Sequence, residues 1–199
     1  MNRLLVCWQS AWAWWGLAGW FILVSGAAWA DDRITDPAFD GQASELRIKA
    51  AYLCKFGAFV EWPDHTFPAA DAPVVIGVLG ADALADELST VIRGRSLQGR
   101  RIAVRRLRAG DGLAGLHVLF IGLHAPVGAE ADLLAAARGM HVLTVTDAPP
   151  SEGARGIINF VSDNGRVRFD VCLKAAQEAR LVISARLLAV ARHVMPSVP

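Results

Sequence analysis

Beyond its first thirty residues this chain has no apolar run long enough to cross a bilayer, so nothing there reads as a membrane span. Net charge is almost absent. The 20 lysines and arginines stand against 19 aspartates and glutamates, which gives no reason to expect nucleic acid as a partner. Signatures of bound phosphate are missing too. Gly94 and Gly99 have the spacing of a phosphate loop, but Arg100-Arg101 follows where Lys-Ser/Thr is required, and the segment precedes a strand instead of following one. The Gly77-Val-Leu-Gly80 turn lacks the third glycine of a dinucleotide fingerprint and reads as a tight turn before Asp82. Ser151 and Ser184 sit in no nucleophile elbow, and Cys54 and Cys172 have no histidine nearby in sequence. The histidines have no paired spacing of the zinc-binding kind. His117 and His141 open strands, while His65, His124 and His193 are scattered, so all five read as structural or surface groups. No catalytic residue, metal ligand or cofactor is assigned, and an enzyme is not the expected class.

What the chain does have is concentrated at its start. Six of its seven tryptophans and only one charge, Arg3, fall in residues 1–30. A basic start, an apolar run over 11–24 and the small-residue ending Ala28-Trp29-Ala30 have the form of a secretory signal peptide, with cleavage expected after Ala30. The rival reading is an uncleaved anchor, since the run is nearly long enough to span a bilayer. Taking 30 residues from 199 leaves 169, enough for one domain with a real core. Cys54 and Cys172 are the cysteines left in what would be an oxidising compartment; they either pair or stay buried, and spacing does not decide between these.

A polar segment over 31–44 reads as a flexible tail before a domain spanning 45–195. Tyr52, Phe56 and Phe59 recur at helical spacing, which predicts a core-facing aromatic stripe on a first helix, stopped by Pro63. Short branched runs predict strands at 74–79, 101–107, 117–121 and 141–145, and helices are expected at 82–92, capped by Asp82, and near 130–138. This alternation argues for an α/β domain with a mainly parallel sheet covered by helices on both faces. The pattern then changes. Runs at 156–161 and 166–171 flank Asn164-Gly165, a strong hairpin signal, and 173–194 reads as helical, as one helix or as two bent near 181–184. Arg93, Arg95, Arg100, Arg101, Arg105, Arg106 and Arg108 crowd into sixteen residues, either as a docking surface for an anionic partner or as a charged guard on an edge strand.

Lys49-Ala-Ala-Tyr52-Leu, Phe56, Phe59-Val-Glu-Trp-Pro63, Ile76-Gly-Val-Leu-Gly80 and Gly99-Arg-Arg-Ile-Ala-Val104 resemble blocks of the YfiR family of small periplasmic proteins. The resemblance continues through His117-Val-Leu-Phe-Ile121, Val142-Leu-Thr-Val-Thr-Asp147, Gly156-Ile-Ile-Asn-Phe160 and Gly165-Arg-Val-Arg-Phe-Asp170. It ends with Ala175-Ala176, Leu181-Val-Ile-Ser184 and Leu187-Leu188, in order over about residues 45–194. It implies a non-catalytic regulator that binds and represses the periplasmic sensor region of an inner-membrane diguanylate cyclase, controlling cyclic-di-GMP and biofilm formation. It also implies a homodimer and capture by an outer-membrane lipoprotein. The family's cysteine pair after the fourth strand has no counterpart in 148–156, so a Cys54–Cys172 disulfide is the expectation in its place.

Three classes stay open at this point. They are the cyclase repressor, a periplasmic small-ligand sensor using Arg180 and Arg186, and an envelope enzyme relying on His117 or His141. For partner contact, the surroundings of Phe67, Arg100, Arg101, Arg105 and Arg106 point to exposed apolar or basic positions.

Overall fold

In the computed structural model, which describes residues 37–147 and 155–196, a proline opens the first helix, α1 (Pro37–Phe56). Proline suits a first helical position, because its missing N–H has no partner to lose there. The expected tail over 31–44 is therefore helical from Pro37 onward, and the leader and residues 31–36 lie outside the described residues. The helix also stops earlier than Pro63 alone would require. Gly57–Phe59 tightens into a 3-10 turn, then Val60–Glu61 extends as β1. The aromatic stripe packs as expected: Phe56 lies 5.0 Å from Phe169 and 5.7 Å from Phe160, centroid to centroid, with Tyr52 stacked beside it at 5.6 Å.

The elements that follow are β2 (Val74–Leu79), α2 (Asp82–Val91), β3 (Ser96–Leu97), β4 (Arg100–Leu107), β5 (Val118–Ile121), α3 (Ala129–Ala137), β6 (Leu143–Thr146), β7 (Ile158–Asp163) and β8 (Arg166–Cys172). Asp82 is the first residue of α2, and its side chain makes no cap hydrogen bond. The chain ends with α4 (Leu173–Glu178), β9 (Val182–Ile183), α5 (Ala185–Leu188) and β10 (His193–Met195). Eight strands form one sheet in the order β10-β8-β7-β6-β5-β2-β4-β3; β1 and β9 make a separate antiparallel pair. Every neighbouring pair in the large sheet is parallel except β7–β8 and β3–β4. The fold is thus the mainly parallel α/β sheet that the alternation predicts.

Alternate residues of each strand feed opposite faces. Ile76, Val78, Val118, Phe120, Leu143 and Val145 join one core with α1 and α2. Leu79, Leu107, Leu119 and Ile121 join a second, beneath Leu134 and Ala137 of α3. The hairpin signal holds: Asp163 pairs with Arg166 across a two-residue loop in which Asn164 and Gly165 both have positive φ, at 50° and 72°. That is the primed turn whose twist matches the strands. Asn159, buried on β7, closes a ring of hydrogen bonds. Its Oδ1 accepts from Gly156 N–H (3.0 Å) and Thr146 Oγ1 (2.8 Å), and its Nδ2 donates to the Gly156 carbonyl (3.0 Å). The Gly-Ile-Ile-Asn-Phe block therefore ties the start of β7 to the end of β6.

The helical stretch expected over 173–194, with its bend near 181–184, is two short helices, but the bend holds the strand β9 and the end is the strand β10 instead of helix. The break comes at Arg180, whose φ is 55°. Its N–H bonds the Gln177 carbonyl (2.9 Å) and the next N–H, of Leu181, bonds that of Ala176 (2.9 Å), which is a Schellman termination.

Candidate functional site at the carboxyl end of the sheet

The connections after β2 and β5 leave in opposite lateral directions, toward β4 on one side and β6 on the other. Open sheets bind ligands in the crevice outside the carboxyl ends of strands at such a switch point. Here that crevice is a cleft of about 890 Å³ lined by the ends of β2 and β4 and the loop after β5. The turn at its floor requires glycine. Gly80 has φ 66°, and a Cβ there would run into the backbone of Ala125. Two backbone bonds weld this turn to the β5 loop, Gly122 N–H to the Leu79 carbonyl (2.8 Å) and His124 N–H to that of Gly80 (3.2 Å).

The polar groups around the cleft are Asp82, Arg106, Arg108, Asp111 and His124. Some are already engaged. Arg106 makes an ion pair with Asp86 and lies 4.0 Å from Asp82, and the backbone N–H of Arg108 donates to Asp111 (2.7 Å). The lining carries no serine, threonine, cysteine or lysine that would serve as a nucleophile. Chemically it is a mixed-charge recess suited to binding a polar small molecule.

The same Gly80–Asp82 turn borders a smaller recess of about 250 Å³, walled by Leu46, Leu84 and Leu123 and reaching Lys49 and Asp147. Lys49 is 7% exposed. Its Nζ lies 2.7 and 2.8 Å from the two Asp147 carboxylate oxygens and also pairs with Glu45 one turn back on α1. Burial pulls the ammonium's pKa down, but the two carboxylates more than offset this and hold it above its usual value. Burial pushes the Asp147 carboxyl up, against the opposing pull of Lys49. Removing either partner would strand the other charge in this setting.

The residues singled out for partner contact are largely committed to the fold. Arg100 donates through one nitrogen to the carbonyls of Ala69, Ala70 and Ala72 (2.8–3.1 Å), and its guanidinium caps the Phe67 ring at 4.0 Å. Phe67 stacks in turn on His117, 4.4 Å away and nearly coplanar. The pair pins the 62–73 loop. Arg105 clamps the carbonyls of Gly112 (3.0 Å) and Ala114 (3.2 Å). Arg106 is spent on α2. Arg101 is exposed beside β3, Arg180 occupies the positive-φ position after α4, and Arg186 is exposed on α5 behind its Ser184 cap.

Cys54 and Cys172 are free thiols. Cys54 is buried beside Arg95, Leu97 and Ile102, and burial pushes its thiol up. Cys172 ends β8 next to Arg155 and Lys174, so the two share no surroundings and the expected disulfide is not made. Sequence reasoning passed over Lys49 and Asp147 as ligand-facing groups, although both stand in quoted blocks. It also left His65 and His141 unconnected, yet their Nε2 atoms lie 3.2 Å apart. Among the described residues no three histidine, cysteine or acidic side chains converge as metal ligands, and no helix is long and apolar enough to cross a membrane.

Compared with known proteins, residues 46–192 match a family model described as YfiR/HmsC-like. No curated protein matches the chain.

Proposed function

The chain belongs to the YfiR/HmsC-like family, and from that membership we propose that it is a non-catalytic regulator exported to the periplasm, where it binds and represses the sensor region of an inner-membrane diguanylate cyclase. The carrying observation is the extent of the family match, which takes in nearly every element from α1 to α5. Residues 1–30 would act as the cleaved leader, and 45–195 as the regulatory domain. A second copy of the chain and an outer-membrane lipoprotein are its proposed further partners, the latter relieving repression.

The test is deletion and complementation in the native host. Loss of the gene raises cyclic-di-GMP and surface attachment, and both return to the parental level on complementation. Deleting the cyclase that co-purifies from envelope membranes abolishes the difference. Unchanged cyclic-di-GMP on deletion, with the protein present in the parent, would sink the reading. A second reading, a small-ligand sensor, is favoured by the cleft of about 890 Å³ at the switch point. It predicts a ligand-dependent rise in Tm that the cyclase reading does not need.

A further inference from the structure

Two histidines 76 positions apart in the chain meet beside the start of β6. Their Nε2 atoms are 3.2 Å apart, the ring centroids 5.0 Å apart and the ring planes inclined at 78°. A straight N–H···N hydrogen bond of that length would put the centroids about 5.5 Å apart. Two imidazoles ligating one tetrahedral ion at about 2.0–2.1 Å would put the nitrogens about 3.3 Å and the centroids about 5.2 Å apart. The observed centroid separation is shorter than a straight hydrogen bond gives and closer to the second arrangement.

The His141 ring is held from its far side, and the turn carrying His65 is anchored nearby. His141 has Nδ1 3.1 Å from the Ala179 carbonyl oxygen. Only an N–H makes that contact favourable, so Nδ1 carries the proton and Nε2 presents a lone pair toward His65. A ligating histidine fixed through its other nitrogen by a backbone carbonyl is the usual outer-shell arrangement of a metal site. His141 also keeps a φ of 58°, strained for a residue with a side chain. His65 sits in the exposed turn Asp64–Thr66. That turn is anchored two residues on, where Phe67 lies between the Arg100 guanidinium and the His117 ring. His141 is therefore already set to meet an ion, and the loop that carries His65 is fixed beside it.

We propose that His65 and His141 form a two-histidine site for a divalent transition metal of the imidazole-preferring class, Zn²⁺ or Cu²⁺. With no third side-chain ligand among the described residues, water completes the shell and the ion exchanges freely. In the metal-free protein His65 donates its Nε2 proton to His141. On binding, that proton moves to Nδ1 of His65 and both Nε2 lone pairs go to the ion. The ion then ties the 62–73 loop to the start of β6, so occupancy stabilises the fold.

The test is calorimetric titration of the tag-free, leader-free chain with Zn²⁺, alongside Tm with and without Zn²⁺. The variants are His65→Gln, at an exposed position, and His141→Asn, which tolerates the positive φ. The wild type binds one equivalent and its Tm rises, while each variant binds at least tenfold more weakly and its Tm does not respond. Cu²⁺ gives a spin-resonance spectrum with two equivalent nitrogens in the wild type and one in His65→Gln. Equal Zn²⁺ affinity in wild type and His65→Gln, or no stoichiometric binding by the wild type, would overturn the site.

Discussion

His117 is a histidine that the fold needs uncharged. Its Nδ1 accepts the N–H of Val75 (3.1 Å), its backbone N–H donates to the Val75 carbonyl (3.0 Å), and its ring lies against Phe67. Burial, then the nearby Arg100 charge, lowers its pKa below the ordinary 6.5, opposed by a hydrogen bond to the Thr66 backbone. Protonation would turn an acceptor into a donor facing Val75 N–H. Because the folded pKa is depressed, the unfolded chain takes up the proton first as pH falls. The stability tied to His117 is therefore complete above pH 6.5 and is lost as pH falls through the folded value. Urea unfolding from pH 7.5 to 5 should show stability declining in the wild type. The decline should be shallower in His117→Asn, whose amide oxygen accepts the same N–H at any pH. Parallel pH profiles would mean that another group carries the acid limb.

At the scale of elements, what could be read from the chain depended on whether the decisive contacts were local. Val74–Leu79 was legible because a branched run bounded by Pro73 and Gly80 has few other uses, and the hairpin because Asn164-Gly165 specifies its own turn. The C-terminal break was hidden, since the positive-φ position after α4 is filled by Arg180 where glycine would have announced a stop. The cleft was illegible for a different reason. Its wall draws Asp82 from α2, Arg106 from β4, Asp111 from the connection after β4 and His124 from that after β5, and only the strand order brings them together. Arg180 supplies a direct check. A side chain in the left-handed region costs about 1–2 kcal/mol, of which glycine recovers part after its greater unfolded-state entropy is subtracted. Arg180→Gly should stabilise by about 0.5–1 kcal/mol, raising Tm by about 2–3 °C in thermal unfolding. A lower Tm would show that the Arg180 side chain contributes more than its backbone costs.

For the whole molecule, the question is where a near-neutral protein keeps charge available for a partner. Seven arginines between residues 93 and 108 look like one basic surface in sequence, but the fold distributes them. Arg100 is bound to loop carbonyls, Arg105 to the carbonyls of Gly112 and Ala114, and Arg106 to Asp86, leaving Arg101 exposed on the same strand. Charge reversal at these positions should therefore separate folding from recognition. Arg105→Glu would turn a carboxylate toward two carbonyl oxygens, and it should destabilise by about 2 kcal/mol in urea unfolding. Any loss of repression in that variant would follow from the damaged fold. Arg101→Glu should unfold within about 0.5 kcal/mol of the wild type. Its cyclic-di-GMP level thus reports on docking alone: a rise toward the deletion level places the acidic partner on β4, and a parental level moves the interface elsewhere. The two variants measured together distinguish a docking strand from a structural one, which Arg105→Glu alone would confuse.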